Sequence, residues 1–256
     1  MTPARSLACR LASYPLTFKS ALERAAQDGF SGVVADALRP DFHPDDFGAS
    51  ARRHLLRHLR DLGTPLVQLA AEQNGAGLAD PEHADTRLSG LVRVLELARG
   101  LNTPGVTTRI AGFADAQRGT FAREILGEVA RAADARGVTV SVAADPSDAA
   151  ALVDAIRALD CPWLRIGMDT AGVAPPEPAA VAHAGLLDLR DVKLRGERIE
   201  EVEFGSGDVD FRAWMAALVS SGFGGVLAVR RDVPGSVDAL RRGREYVASL
   251  LKPGGR

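Results

Sequence analysis

Apolar positions along the chain follow two alternating rhythms. Short runs in which apolar residues are adjacent or one apart predict strands. Longer stretches with apolar residues three and four apart predict helices. The first short run is Ser6–Leu11, broken by Pro15. Thr17 then stands as an N-cap before a stripe of Leu22, Ala25 and Ala26 that stops at Gly29. Gly32–Ala35 reads as the second strand. A helix from about Pro44 to Leu62 ends at Gly63, and Pro65–Ala70 reads as the third. Asp80 and Pro81 open a helix carrying Leu91, Val94, Leu95 and Ala98, ahead of a strand over Gly105–Ile110. A helix from about Thr120 to Arg136 stops at Gly137, and Val138–Ala143 is the strongest strand pattern in the chain. Asp145-Pro146-Ser147 starts the next helix, and Leu164–Asp169 is the sixth strand. A proline-rich stretch, Ala174–Pro178, leads through a short helix to a seventh strand over Leu189–Leu194. Asp210 precedes a helix with Trp214, Leu218 and Val219; Gly225–Arg230 is the eighth strand. A helix from about Ser236 to Leu251 and a frayed tail, Lys252–Arg256, complete the pattern.

Strict alternation of strand and helix implies a parallel sheet with right-handed crossovers. Eight such units close most economically into a (β/α)8 TIM barrel, class α/β, as a single domain over residues 1–256. The length of 256 residues matches the roughly 250 that an uninterrupted barrel needs. A doubly wound open sheet is the alternative; no G-x-G-x-x-G follows the first strand to support it. A net charge of -2 gives no electrostatic footprint for nucleic acid or an anionic membrane. No segment approaches about 18 uninterrupted apolar residues, so no membrane partner is expected. Cys9 and Cys161, far apart and without a CxxC, read as reduced thiols, which points to a cytoplasmic location.

Several segments carry a resemblance. They are Ser13-Tyr14-Pro15-Leu16 with Gly29-Phe30-Ser31-Gly32-Val33, then Ile166-Gly167-Met168-Asp169-Thr170, then Asp191-Val192-Lys193-Leu194-Arg195. Gly205-Ser206-Gly207-Asp208-Val209-Asp210-Phe211 is the most specific, and Phe223-Gly224-Gly225-Val226-Leu227 closes the series. In this order the chain resembles the xylose-isomerase-like TIM barrels, a group with sugar-phosphate isomerases and epimerases, inosose dehydratases and apurinic endonucleases. The resemblance implies a metal at the carboxyl ends of the strands. Its ligands would be a Glu ending strand five, an Asp ending strand six, a His on strand seven and a Glu ending strand eight. Here those positions map to Ala143, Asp169, Lys193 and Arg230, and upstream Val34 and Ala70 stand where a Glu and a His are usual. Only Asp169 can ligate a cation; ammonium and guanidinium groups carry no free acceptor pair. No metal and no other cofactor is therefore expected. His54 and His58 share one helix face, but His-Leu-Leu-Arg-His lacks the Glu of H-E-x-x-H and reads as a solvated face.

Arg109, Asp169, Lys193 and Arg230, with Arg231 beside it, fall at expected strand ends, where barrels of this kind do their chemistry. They suggest an anion-binding mouth with Lys193, Asp169 and Arg230 as catalytic residues and Arg109, Arg231, Gln68 and Glu72 as substrate contacts. Lys193, flanked by cations, would have a lowered pKa and act as base or form a Schiff base, Asp169 would shuttle a proton or orient it, and Arg230 would stabilise the enediolate. These charges could equally pair with one another in a barrel without catalysis. The Gly205-Ser206-Gly207 amides could cradle an anion, or the loop could be a tight turn with Asp208 or Asp210 capping the next helix. Two functions follow. One is a metal-independent isomerase- or epimerase-like enzyme moving a proton next to a carbonyl of a small polyhydroxylated, anionic substrate. The other is a non-catalytic anion- or sugar-binding protein on the same barrel. An apurinic endonuclease is disfavoured, since it needs many His and Glu ligands and a basic face. The resemblance also allows a homodimer, with nothing local in the sequence to specify it.

Overall fold

A computed structural model describes residues 7–172, 174–175, 177–196, 198–233 and 238–251. Among the described residues there are ten strands and eight α-helices, alternating except where three strands follow one another before the seventh helix. The strands are β1 Leu7–Arg10, β2 Gly32–Asp36, β3 Leu66–Ala70, β4 Gly105–Arg109, β5 Thr139–Ala143, β6 Leu164–Asp169, β7 Ala184–Leu189, β8 Asp191–Arg195, β9 Arg198–Val202 and β10 Val226–Val229. The helices are α1 Phe18–Gln27, α2 Ala49–Leu62, α3 Ala84–Gly100, α4 Gly119–Asp134, α5 Ala149–Leu159, α6 Pro178–Ala182, α7 Phe211–Ser220 and α8 Ala239–Leu250. Eight strands form a closed barrel in the order β1-β10-β7-β6-β5-β4-β3-β2, and β8 with β9 forms a separate two-stranded sheet.

Local signals account for most boundaries. The Thr17 side chain accepts from the Ser20 amide at the start of α1, and Asp210 accepts from Ala213 N at the start of α7. Gly29 and Gly137 follow α1 and α4 in the left-handed region, with φ of 78° and 60°, where a side chain would be strained. The expected helix from Pro44 is instead a short 3-10 turn, Pro44–Asp46, followed by α2. Asp80 and Pro81 likewise form a turn, and α3 begins at Ala84. The ends of the chain in the sequence reading, Ser6 and Lys252–Arg256, and the expected helix start at Ser236 lie outside the described residues.

One assignment is corrected. The seventh barrel strand is Ala184–Leu189, not Leu189–Leu194. Asp191–Arg195 turns back on Arg198–Val202 as an antiparallel hairpin, with Lys193 opposite Glu200. The cause is visible in the burial. β7 is buried along nearly its whole length, as a central parallel strand must be. β8 changes from buried Asp191 and Val192 to exposed Leu194 and Arg195, as a hairpin reaching into solvent does.

Contacts divide the chain into two units, one of residues 1–34, 59–65 and 169–256, the other of residues 35–58 and 66–168. In the first, β10 lies between β1 and β7, with Ala8 level with Ala228 and Ala228 level with Asp188. Side chains alternate across a strand. Leu7, Cys9, Leu187, Leu189, Leu227 and Val229 therefore share one face. Helix α8 covers part of that face, with Gly243 against Val229. Arg10, Asp188, Arg190 and Arg230 share the opposite face, the inside of the barrel. In the second unit β3, β4, β5 and β6 pair in sequence order, which brings Gln68, Thr107 and Ser141 to one common face.

Candidate functional site

The carboxyl ends of the strands in the first unit carry a compact cluster of charge. Arg10 ends β1 and is 8% exposed; Asp188, the fifth residue of β7, is 4% exposed. They meet through two hydrogen bonds, Arg10 Nε to Asp188 Oδ1 at 2.8 Å and Nη2 to Oδ2 at 2.6 Å. This fork-to-fork contact is the strongest geometry open to an arginine and a carboxylate. Arg230, just past β10, adds a third bond from Nη1 to Asp188 Oδ2 at 3.2 Å. Its Nε and Nη2 donate to the two oxygens of Asp232 at 2.7 and 3.0 Å.

Asp169 ends β6. Its Oδ1 accepts from Arg190 Nε at 2.9 Å and from the Ala171 amide at 2.7 Å, while Oδ2 lies 3.9 Å from Arg230 Nη1. Arg190 also reaches Asp232 through Nη1 at 3.0 Å. Its backbone is pinned, because the buried Thr170 hydroxyl accepts from Arg190 N at 2.9 Å and donates to Arg190 O at 2.6 Å. Arg230 N donates to Leu189 O at 2.9 Å, which fixes the neighbouring strand end in the same way. The result is three guanidiniums, from Arg10, Arg190 and Arg230, interleaved with three carboxylates, from Asp169, Asp188 and Asp232.

Burial and neighbours divide the carboxylates. Desolvation raises the proton affinity of Asp169; the Arg190 charge and hydrogen bond offset this only in part, and Asp188 adds to the rise. Asp188 is buried more deeply, yet Arg10 and Arg230 outweigh its desolvation and hold its pKa below the ordinary carboxylate value. Arg230 is held protonated: burial acts against its charge, but Asp188 and Asp232 prevail.

This donor set does not fit a divalent cation. The metal implied by the resemblance needs several oxygen or nitrogen ligands with lone pairs to spare. Each oxygen of Asp169, Asp188 and Asp232 instead faces a guanidinium nitrogen within 3.9 Å. Among the described residues, no group of three or more His, Cys, Asp or Glu side chains is arranged to hold a metal ion.

The residues expected from sequence fall in different surroundings. Asp169 and Arg230 are in the cluster. Arg231 is next to it: its amide donates to Ser13 Oγ at 2.8 Å, and its Nε lies 3.4 Å from Glu201 Oε1, both side chains being nearly buried. Lys193 is on the hairpin rather than at a barrel strand end, because the strand that was to carry it lies five residues earlier. Arg109, Gln68 and Glu72 belong to the second unit. Arg109 donates to Asp145 Oδ1 at 2.5 Å and to Gly75 O at 3.2 Å. Gln68 is buried and donates to Ser141 Oγ at 3.4 Å, and Glu72 accepts from Thr107 Oγ1 at 3.1 Å. The sequence reading missed Arg10, Asp188, Arg190 and Asp232. The signal for two of them was a lone Asp in the apolar run Leu186-Leu187-Asp188-Leu189 with an Arg directly after it.

The glycine loop does cradle an anion, but one from its own chain. Gly205 N and Gly207 N donate to Oδ2 of buried Asp191 at 2.8 and 2.9 Å. A Cβ on Gly207 would stand 2.0 Å from Asp191 Oδ1, so the loop closes fully around that carboxylate. Asp210 caps α7 as expected, while Asp208 accepts from Leu194 N at 2.8 Å and ties the loop to the hairpin. Trp214 is a core residue, and Tyr246, half-buried, packs against Phe204 and Phe211.

Comparison with known proteins adds a frame. A family model described as xylose isomerase-like TIM barrel matches residues 22–250. Solved structures superpose over nearly the whole chain at low identity. A xylose isomerase domain protein from Planctomyces limnophilus has a TM-score of 0.81 at 17% identity, covering 97% of this chain and 98% of that one. A xylose isomerase-like TIM barrel protein from Mycobacterium smegmatis, in complex with magnesium, has a TM-score of 0.75 at 14% identity, covering 98% of both chains. The 3-keto-D-glucoside 4-epimerase YcjR from E. coli has a TM-score of 0.70 at 16% identity, covering 96% and 98%. A search of curated proteins finds no match.

Proposed function

The chain belongs to the xylose isomerase-like TIM barrel family, and from that premise we propose that it is a sugar isomerase- or epimerase-like enzyme that works without a metal. Its substrate is a small polyhydroxylated molecule with an anionic group, and its reaction is proton transfer next to a carbonyl. The observation that carries this reading is Asp169, a carboxyl with raised proton affinity at a strand end, set between Arg190 and Arg230. A carboxyl with raised proton affinity suits proton transfer. Oδ2, the oxygen less engaged by donors, takes the proton from the carbon beside the carbonyl. The electrons move onto the carbonyl oxygen, and the guanidiniums of Arg190 and Arg230 stabilise the resulting enediolate. Return of the proton to the neighbouring carbon, with the adjacent hydroxyl proton passing to the former carbonyl oxygen, isomerises the substrate; a proton taken from solvent on the opposite face of the same carbon epimerises it. Asp169 is assigned the role of base here in place of Lys193, which lies on the β8 hairpin strand.

The test is exchange of the substrate's carbon-bound proton with deuterated solvent, followed by NMR over ketoses, aldoses, sugar phosphates and keto acids. Asp169→Asn is expected to slow exchange by about 100-fold or more, the usual contribution of a general acid–base group. Lys193→Ala is expected to leave it within about twofold. Unchanged exchange in Asp169→Asn would sink the mechanism. The mutual pairing of three Arg with three Asp also supports a second reading, a non-catalytic sugar- or anion-binding barrel. That reading predicts thermal stabilisation by such molecules with no exchange on any of them.

A further inference from the structure

The three carboxylates of the cluster differ in how firmly they are held. Asp188 is on a barrel strand with a side chain 4% exposed, and Asp169 ends a strand at 28%. Asp232 lies in the loop after β10 at 44%. It nevertheless makes the most complete carboxylate contact at the outer edge of the cluster. Arg230 Nε and Nη2 meet its two oxygens at 2.7 and 3.0 Å, and Arg190 Nη1 joins at 3.0 Å. One guanidinium fork and a single nitrogen of a second guanidinium thus converge on one planar, singly charged group, an arrangement that suits a carboxylate. Arg10 has its own buried partner in Asp188. Arg190 has Asp169 and Arg230 has Asp188, so both retain a counter-ion when Asp232 leaves. Withdrawal of Asp232 leaves three guanidiniums against two carboxylates, a net positive seat with the Arg230 fork and Arg190 Nη1 already aimed. The loop has an alternative anchor, since Arg231 N is held by Ser13 and Arg231 Nε lies beside Glu201.

We propose that Asp232 occupies the seat of a ligand carboxylate, and that a small-molecule carboxylate binds here by displacing it. This deepens the functional reading above, on which it rests, by assigning the anionic group of the substrate as a carboxylate. A phosphate would have to place a third terminal oxygen and a second charge in a seat now filled by a planar group with two oxygens. In the free protein Asp232 acts as an internal competitor. It keeps the guanidiniums oriented and lowers the apparent affinity for every external anion.

The experiment compares wild-type protein with Asp232→Ala. Thermal unfolding is followed in sodium formate, sodium D-gluconate, sodium phosphate and sodium chloride at equal ionic strength, and D-gluconate binding is measured by calorimetry. Asp232→Ala is expected to melt lower than wild type in chloride and to recover with rising formate, a response that wild type shows weakly. D-gluconate is expected to bind Asp232→Ala about tenfold more tightly than wild type, since no internal carboxylate must be displaced. Adding Arg230→Ala to the variant should abolish the formate response. A formate response no greater than that to chloride, or equal D-gluconate affinity in the two proteins, overturns the proposal. So does a stronger response to phosphate than to both carboxylates. If Asp232→Ala fails to fold, Asp232→Asn takes its place and is expected to show the same formate response in weaker form; no response overturns the proposal again. Carboxylate binding without proton exchange would defeat the catalytic reading and leave this one standing. Exchange with no carboxylate response would do the reverse.

Discussion

Replacing Asp188 with Ala removes the deepest carboxylate of the cluster and tests what the cluster is worth. Arg10 would then hold a charge at 8% exposure without its bidentate partner. Orphaning one member of a buried pair costs about 3–5 kcal/mol, most of it the desolvation of the charge left behind. Arg230 would lose a 3.2 Å contact but keep Asp232, and at 25% exposure that loss adds at most about 1 kcal/mol. For a domain of this size the total lowers Tm by roughly 10–15 °C. Urea unfolding followed by circular dichroism gives the free energy directly. Replacing both partners, Arg10→Met with Asp188→Leu, should cost less than either single change, because no charge is left unpaired. The pH dependence has a definite sign. Asp188 is held below the ordinary carboxylate value, so its contribution is complete above that value. It fades as pH falls through the lowered one, and Asp188→Asn lacks this acid-side loss. A cost below about 1 kcal/mol for Asp188→Ala, or additive costs in the double variant, would refute the reasoning.

Other consequences are equally direct. Asp169 has the opposite sign: its raised pKa means that ionisation costs stability as pH rises from the ordinary carboxylate value through the raised one, and Asp169→Asn should flatten that segment of the stability–pH curve. A carboxyl carbon titrating at or below the ordinary value in NMR would contradict it. Cys9 is buried, and desolvation first, then Asp28, pushes its thiol up, so in native protein a disulfide reagent should modify Cys161 alone and reach Cys9 only after unfolding. Modification of both at one rate would contradict the burial. Gly207→Ala drives a methyl against Asp191 Oδ1 and Val192 O and should destabilise by about 1–3 kcal/mol in urea. A neutral effect would mean that the loop does not wrap Asp191 so closely.

Seven of the eight barrel strands were legible in the sequence within a residue or two, because buried parallel strands flanked by glycine and helix caps leave a plain pattern. The seventh was not. β7 and β8 are separated by Arg190 alone, so no turn residue marks where the barrel strand ends and the hairpin begins. That shift put Lys193 in the expected site and hid Asp188 and Arg190. Cationic strand ends in place of ligands were legible, since Arg230 and Asp169 needed only the strand pattern. Their partners were not. Asp232 is a loop residue whose role depends on the path of the backbone after β10, and Arg10 acquires a role only when the first and seventh strands flank β10. Pairing between distant strands is set by closure of the barrel, which no local pattern records.

Guanidinium groups fill the space at these strand ends where a divalent ion would need free carboxylate oxygens, and metal analysis tests this most directly. Protein purified without chelator, exposed to zinc, manganese and magnesium and then desalted, should carry far less than one equivalent of any metal by mass spectrometry, and none of the three should raise its Tm. Stoichiometric retention of a metal that is lost in Asp169→Ala would contradict the account.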